Sequence, residues 1–239
     1  QTPVLGSLES LEVDNSAGVT LDADLDISGA LKLSDGVLNL NGNSLTLKSS
    51  SSSNGLIENN GGTISGALTV ERYVPQVGNG HHYLSTPMSN SLLSELSDDF
   101  NFNLSGGYPN LYYYNEPSSS WVTPNSAGDA MGLGKGYTGY FSGNIVVDIS
   151  GIPNSGATSI GLTSDVDGWN FAGNPYPSPI DWDLVTFPSG VSSALYVWDH
   201  DPAIWGKYTT YIDGIGTNGG SNVLPMMQSF FIKANNAAT

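Results

Sequence analysis

The sequence predicts an all-β protein in which a short β-helix-like solenoid is followed by a β-sandwich with an internal repeat. Most segments alternate apolar and polar residues or form short apolar runs, as strands do. Clusters of Gly, Pro, Asn and Ser separate these segments and supply turns. Helical spacing of apolar residues is confined to residues 91–100, where Leu92, Leu93 and Leu96 predict one short helix.

Residues 1–74 form the predicted solenoid. Apolar residues two positions apart put two side chains on one face of each short strand. Strands of this length do not form stable hairpins alone, whereas stacked coils bury a continuous apolar axis. An edge sheet of a sandwich is the alternative. The pairs are Leu31 and Leu33, Leu38 and Leu40, Leu45 and Leu47, and Leu68 and Val70.

Residues 75–239 form the predicted sandwich, since aromatic residues and prolines are dense there and the apolar runs are longer. Four segments recur in the same order within residues 81–145 and 169–234. HHYLSTPMS resembles WNFAGNPYPS, YYYN resembles YVWD, a tryptophan follows each at equal spacing, and GKGY resembles MQSF. A repeated order of this kind indicates duplication, and it predicts two half-sandwiches with a common strand order.

Composition restricts the partners. Asp and Glu number 22 against 6 Lys and Arg, which gives a formal charge of −16. Such a surface repels nucleic acid and anionic membranes, and it favours cations and neutral sugars. The chain has no cysteine, which excludes disulfides and Cys-ligated zinc. No segment approaches the roughly 18 to 20 apolar residues of a membrane-spanning helix, so we predict no membrane insertion.

Several strings in the chain resemble a known module. ALTVERYVP, HYLSTPM, GLGKGYTGYF and GNPYPSPIDWD resemble a module of large secreted Bacteroidota proteins, which lies upstream of the sorting domain of the type IX secretion system. GNPYPSPIDWD (residues 173–183) is the most specific string, and the resemblance covers residues 60–239. It implies an extracellular or cell-surface location and neighbouring domains of a larger chain, but little chemistry. Because the sequence begins with Gln1, we also expect it to be a piece of a longer protein.

Aromatic residues provide the main candidate site. Sugar rings present C–H faces that stack on Trp and Tyr, while nearby polar groups bind the hydroxyls. Six aromatic residues lie in or beside loops rich in Asn and Asp, and they predict a site for polysaccharide or a cell-surface glycan. The alternative is that they form the sandwich core. The six are Tyr112, Tyr114, Trp121, Trp198, Trp205 and Tyr208, with Trp121 and Trp205 as the first choices.

Three acidic pairs suggest a metal site. Calcium takes six to eight oxygen ligands, and D-x-D turns supply carboxylates at suitable spacing. None of the pairs fits a complete EF-hand loop. The alternative is that the carboxylates cap turns of their own backbone. The pairs are Asp165 and Asp167, Asp181 and Asp183, and Asp199 and Asp201.

Catalysis is the weaker interpretation. Adjacent His81 and His82 face opposite sides of a strand, and His200 has no serine in a G-x-S-x-G elbow. Asp181 and Asp183 could in principle cleave a glycosidic bond. We therefore predict a non-catalytic module that binds carbohydrate for adhesion or attachment. A structural spacer is the alternative, and a polysaccharide-cleaving enzyme with converging carboxylates is the third hypothesis.

Overall fold

The structure is a computed structural model that describes residues 6–75, 79–142, 144–200, 204 and 206–235. It is all-β, as predicted. Helical structure in the described residues is limited to three 3-10 turns, Leu93–Leu96, Glu116–Ser118 and Trp182–Leu184. The first replaces the longer helix expected at residues 91–100. The Ser97 hydroxyl donates to the carbonyl of Ser94 at 2.6 Å, a local bond that competes with helix continuation.

The strands of the first part pair in parallel. Every third strand joins the same ladder. With the strands numbered in chain order from β1 (Ser7–Leu8) to β10 (Leu68–Val74), the three ladders are β1-β4-β7-β10, β2-β5-β8 and β3-β6-β9. Leu25 lies opposite Leu45, and Leu31 lies opposite Ile57. The strands are β1 (Ser7–Leu8), β2 (Leu11–Asp14), β3 (Val19–Thr20), β4 (Leu25–Ile27), β5 (Ala30–Asp35), β6 (Val37–Asn39), β7 (Leu45–Leu47), β8 (Leu56–Asn59), β9 (Thr63–Ser65) and β10 (Leu68–Val74).

The interior of these ladders is apolar. All four predicted pairs of apolar residues, from Leu31 to Val70, are buried and belong to one hydrophobic cluster. The two-residue periodicity therefore identified the inward faces correctly. Parallel ladders of every third strand agree with a solenoid, and the β-helix remains our interpretation of them.

Strand β10 connects the two parts. It pairs in parallel with β7 on one side and antiparallel with the long strand Ile145–Pro153 on the other, so one sheet spans both parts. Arg72 in β10 donates to the carbonyls of Tyr83 at 3.1 Å and Met227 at 2.6 Å, and to the side chain of Gln228. The predicted boundary after residue 74 thus falls at the end of a strand that both parts use.

Two antiparallel sheets dominate the second part. With the strands numbered onward in chain order from β11 (Asn79–Leu84) to β23 (Ser229–Lys233), the strand orders of the two sheets are β11-β15-β13-β14 and β17-β23-β19-β20-β21. In addition, β12 pairs with β16, and β18 pairs with β22. The strands are β11 (Asn79–Leu84), β12 (Met88–Ser89), β13 (Leu111–Asn115), β14 (Ser120–Val122), β15 (Tyr137–Ser142), β16 (Ile145–Pro153), β17 (Trp169–Gly173), β18 (Ile180–Asp181), β19 (Leu195–Asp199), β20 (Lys207–Ile212), β21 (Ile215–Thr217), β22 (Val223–Leu224) and β23 (Ser229–Lys233).

The two sheets share one strand order. If β11 is matched with β17, β15 with β23, β13 with β19 and β14 with β20, the neighbours agree throughout and every pair is antiparallel. The register agrees as well, since Thr138 lies opposite Tyr112 and Phe231 lies opposite Tyr196. The two sheets therefore have a common strand order, and the duplication itself stays a prediction.

The segments that precede β15 and β23 each reach across to the other sheet. The N–H of Ser85 donates to the carbonyl of Met227, and the N–H of Gly136 donates to that of Phe171, both at 3.0 Å. A Cβ at position 136 would lie 2.8 Å from the Phe171 ring, so glycine is required for this close approach. The two sheets are therefore held together at their edges by backbone as well as side chains.

Alternation along the strands separates two kinds of surface in the second sheet. Leu195 packs in a mixed aliphatic and aromatic cluster with Val197 against it, whereas Tyr196 and Trp198 pack with Phe231 in a separate cluster of aromatic residues alone. Successive side chains of a strand point to opposite faces, which explains this division. The aromatic face is the one that contacts the first sheet, through rings such as Tyr83 and Trp121.

An aromatic cleft as the candidate functional site

The larger of two adjoining cavities between the sheets is an aromatic box, here called the Phe231 box. It encloses about 380 Å³. Phe231 is 7% exposed and forms its base. Four further rings stand at 73 to 89° to the Phe231 ring, with centroid distances of 5.4 to 6.5 Å. The box is lined by Tyr114, Trp121, Trp169, Tyr196, Tyr208 and Phe231.

The second cavity, the His81 pocket, encloses about 360 Å³ and has more polar groups. The Thr138 hydroxyl lies 3.4 Å from His81 Nδ1, and the hydroxyls of Tyr83 and Tyr208 are 3.2 Å apart. Burial, with a smaller contribution from His200, lowers the pKa of His81, so its ring is neutral at neutral pH. The pocket is lined by His81, Tyr83, Tyr112, Trp121, Thr138, Trp198 and Tyr208.

Trp121 and Tyr208 belong to both cavities. Trp121 is 44% exposed and Tyr208 is 39% exposed, although both are large apolar side chains. The Phe231 box and the His81 pocket therefore adjoin at these two partly exposed rings, and together they are called the aromatic cleft.

The two cavities occupy equivalent positions in the matched sheets. Tyr83 lies opposite Thr138 and Phe171 opposite Phe231, so His81, two residues before Tyr83, matches Trp169, two residues before Phe171. Thr138 likewise matches Phe231. The other lining residues, apart from Tyr83, also correspond in pairs, with Tyr112 matching Tyr196, Tyr114 matching Trp198, and Trp121 matching Tyr208. The His81 pocket is thus the polar counterpart of the all-aromatic box.

A buried carboxylate fixes one wall of the box. Glu116 is 3% exposed and accepts hydrogen bonds of 2.7 to 3.0 Å from the backbone N–H groups of residues 165–168. Burial opposes its charge, but these hydrogen bonds outweigh burial and lower the pKa of Glu116 to about 2. In the same turn, Asp167 accepts from the hydroxyls of Tyr114 at 2.8 Å and Ser119 at 2.7 Å. The turn therefore orients the Tyr114 ring.

Comparison with known proteins assigns a family. The model of one family, described as "Domain of unknown function (DUF8693)", matches residues 1–239. The chain belongs to this family. No curated protein and no solved structure matches the chain. Within the part of the chain that the structure describes, no helix is long and apolar enough to cross a membrane.

The DUF8693 chain brings together most of the residues predicted to bind sugar. Tyr112, Tyr114, Trp121, Trp198 and Tyr208 all line the aromatic cleft. Trp205 lies outside the described residues. Spacing in the sequence matched Trp205 with Trp121, whereas the strand register gives that position to Tyr208, which lies opposite Trp198 as Trp121 lies opposite Tyr114.

Sequence reasoning missed several lining residues of this DUF8693 site. Tyr196 could have been found, since it lies two residues before Trp198 and shares its face. Trp169 and His81 open the first segments of the two predicted repeats, which was a usable signal. Phe231 and Thr138 had none, because a strand rich in apolar residues does not reveal which ring becomes the base of a cavity.

The predicted calcium ligands of the DUF8693 chain do not converge. The N–H groups of the turn that holds Asp165 and Asp167 point at Glu116, an arrangement for an anion. Asn222 donates to Asp181 at 2.8 Å and to Asp183 at 3.1 Å. Asp199 lies 3.8 Å from the ammonium of Lys207, and Asp201 is outside the described residues. No group of three or more His, Asp or Glu that could hold a metal ion occurs among the residues described.

Proposed function

We propose that this domain is a non-catalytic module that binds carbohydrate in the aromatic cleft. The observation that carries the proposal is the exposure of Trp121 and Tyr208, 44% and 39%, at the wall shared by the two cavities. Ligand pockets of about 300 to 1,000 Å³ that combine apolar walls with a few polar groups are typical small-molecule sites. Both cavities fall in that range.

The His81 pocket supplies both elements of sugar recognition. Its rings, among them Tyr112 and Trp198, offer faces for the C–H groups of a pyranose. The neutral imidazole of His81 and the hydroxyl of Thr138 offer a donor and an acceptor for sugar hydroxyls. The pocket has no cationic side chain at neutral pH, so a neutral sugar fits it better than an acidic one.

The two alternatives require different features. A spacer has no use for exposed rings, since a contiguous apolar patch on a protein surface marks a contact. An enzyme that cleaves polysaccharides needs two carboxylates that face one bond. The described lining of the aromatic cleft contains no carboxylate, and Asp181 and Asp183 bind Asn222 instead. These features favour binding without turnover.

We also propose that the module works outside the cell or on its surface, beside other domains of a larger chain. The resemblance of residues 60–239 to a module of type IX-secreted proteins supports this location. The formal charge of −16 and the absence of cysteine are compatible with it.

Affinity electrophoresis tests the proposal. The chain is run in native gels that contain a neutral plant or marine polysaccharide, next to Trp121→Ala and Tyr208→Ala. Tyr108→Ala is the matched control, because Tyr108 is 90% exposed and lines neither cavity. We expect retardation of the wild type and of Tyr108→Ala, and loss of retardation in the two cleft variants.

Three outcomes would contradict the proposal. Unretarded migration of the folded wild type in every polysaccharide favours the spacer. Retardation that survives Trp121→Ala and Tyr208→Ala places the sugar elsewhere on the molecule. Release of reducing ends from a polysaccharide would favour the enzyme.

A further inference from the structure

We propose that the Phe231 box binds a trimethylammonium group. The proposal does not rest on carbohydrate binding, because four of the six rings of the box do not line the His81 pocket; these are Tyr114, Trp169, Tyr196 and Phe231. The ligand class is a quaternary ammonium, either free or as the terminal group of a larger molecule.

The geometry of the box suits a compact cation. Phe231 lies among the rings of Tyr114, Trp121, Trp169 and Tyr208, which stand at 77, 81, 89 and 73° to its own ring. Trp169 and Tyr196 are themselves at 83°. Aromatic faces carry negative potential, so a box of rings attracts a cation from several sides.

The electrostatic surroundings favour positive charge. The chain carries a formal charge of −16, which raises the local concentration of cations. The Tyr114 hydroxyl donates to the carboxylate of Asp167 at 2.8 Å, and this hydrogen bond increases the electron density of the ring. Burial and this carboxylate raise the pKa of Tyr114, so the ring stays a neutral phenol.

The scarcity of free hydrogen-bond acceptors in the box selects the type of cation, since the hydroxyls of Tyr114 and Tyr208 are already bonded to Asp167 and Tyr83. A primary ammonium carries three N–H donors that must be satisfied when it is buried, whereas a trimethylammonium carries none. The lining of the box is six aromatic side chains, with hydroxyls only on the tyrosines. The His81 pocket has His81 and Thr138 where the box has Trp169 and Phe231. That replacement removes an imidazole and a hydroxyl and leaves an all-aromatic lining, which suits a methylated cation.

One wall of the box already engages an ammonium. Lys233 Nζ lies 5.2 Å from the centroid of the Trp169 ring, within the range of a cation–π contact. Lys233 does not line the box. The contact illustrates the affinity of this ring for positive charge, and it also places a like charge near the ligand.

Titration calorimetry with choline tests the proposal. The two comparison ligands are 3,3-dimethylbutan-1-ol, which has the shape of choline without its charge, and ethanolamine, which has the charge without the methyl groups. We expect choline to bind at least about tenfold more tightly than either. Equal affinity for choline and the neutral alcohol, or no heat with choline at tens of millimolar, overturns the proposal.

Variants that affect one cavity locate the site. Tyr196→Leu and Tyr114→Phe alter the box, whereas Tyr112→Leu and Trp198→Leu alter the His81 pocket. We expect Tyr196→Leu to weaken choline binding at least about tenfold, and Tyr114→Phe, which keeps the ring, to weaken it about twofold. Melting curves establish that each variant is folded. Choline binding that survives Tyr196→Leu but is lost in Tyr112→Leu overturns the assignment.

A second experiment distinguishes two sources of the trimethylammonium group, a lipid headgroup and a soluble molecule. Sedimentation with phosphatidylcholine vesicles, compared with phosphatidylglycerol vesicles, tests a lipid headgroup. Binding of choline and of phosphatidylcholine vesicles supports a headgroup ligand, and binding of choline alone supports a soluble one. Glycan retardation without choline binding refutes this inference and leaves the proposed function intact, while the reverse result refutes the proposed function alone.

Discussion

Trp121 and Tyr208 occupy equivalent positions in the two sheets. Trp121 lies opposite Tyr114 at the edge of the first sheet, and Tyr208 lies opposite Trp198 in the second. Each ring also lines both cavities, so the matched pair forms the wall between the Phe231 box and the His81 pocket. A change at either position therefore alters two sites at once.

We expect Trp121→Ala to weaken both proposed activities. The substitution removes a ring that stands at 81° to Phe231 and belongs also to the His81 pocket. The expected loss is about tenfold for choline and for a glycan, which corresponds to about 1.4 kcal/mol for each ligand. Calorimetry and affinity electrophoresis measure the two effects, with Tyr108→Ala as control. A loss confined to one ligand would mean that the cavities do not share this wall in solution.

Much of what the sequence could predict follows from the local periodicity of its apolar residues. Leu31 and Leu33 were assigned to one buried face because strand side chains alternate, and the same rule placed Tyr112 and Tyr114 together on the cleft side. The repeat predicted a common strand order in the two halves. These inferences need only neighbouring residues or a repeated pattern.

Long-range pairing could not be predicted in the same way. The D-x-D-G turn suggested a calcium site, but its N–H groups bind Glu116, about fifty positions earlier in the chain. Nothing near Glu116 in the sequence identifies that partner. In the sequence Phe231 does not differ from its apolar neighbours, whereas in the fold rings from both sheets stand nearly perpendicular to it. Both features depend on how the sheets meet, which local patterns do not encode.

We expect Glu116→Gln to destabilise the chain at neutral pH and to change its response to acid. The pKa of Glu116 is about 2 in the folded chain, below its ordinary value of 4.5. A depressed pKa means that its contribution to stability is complete above pH 4.5 and is lost as the pH falls towards 2. Thermal melting from pH 7 to pH 2 should show the wild type and the variant converging in acid. A constant difference across that range would contradict the assigned role.

We expect removal of the charge of Asp99 to have the opposite effect to Glu116→Gln, namely to stabilise the folded chain at high pH. It accepts from the N–H of Asp148 at 3.1 Å, and burial, together with the charges of Asp148 and Asp98, raises the pKa of Asp99 to about 7. The folded chain therefore holds a proton that the unfolded chain releases, so the contribution of Asp99 to stability declines as the pH rises from about 4 to 7. We expect Asp99→Asn, which mimics the protonated acid, to raise the melting temperature at pH 8 and to leave it unchanged at pH 4.

Chelation should leave the fold unaffected. Four of the six carboxylates predicted to bind calcium, those of Asp167, Asp181, Asp183 and Asp199, are engaged by protein donors. The hydroxyl of Tyr114 donates to Asp167 at 2.8 Å, and that of Tyr211 donates to Asp183 at 2.7 Å. We expect equal melting temperatures in EDTA and in millimolar calcium chloride. A rise of several degrees with calcium, but not with magnesium, would restore the calcium hypothesis.

Removal of the charge of Lys233 separates the cation proposal from simple apolar binding. Its ammonium lies 5.2 Å from the Trp169 ring and is not part of the lining, so it acts on a bound cation mainly through repulsion. We expect Lys233→Met to tighten choline binding about two- to threefold, because one like charge near the box is lost and solvent screens part of the effect.

The neutral 3,3-dimethylbutan-1-ol should bind equally well to both proteins. Calorimetry at low and high salt measures the difference, which should shrink as salt rises. If choline and the neutral alcohol respond alike to the substitution, the box recognises shape alone, since only a charged ligand is sensitive to the ammonium of Lys233.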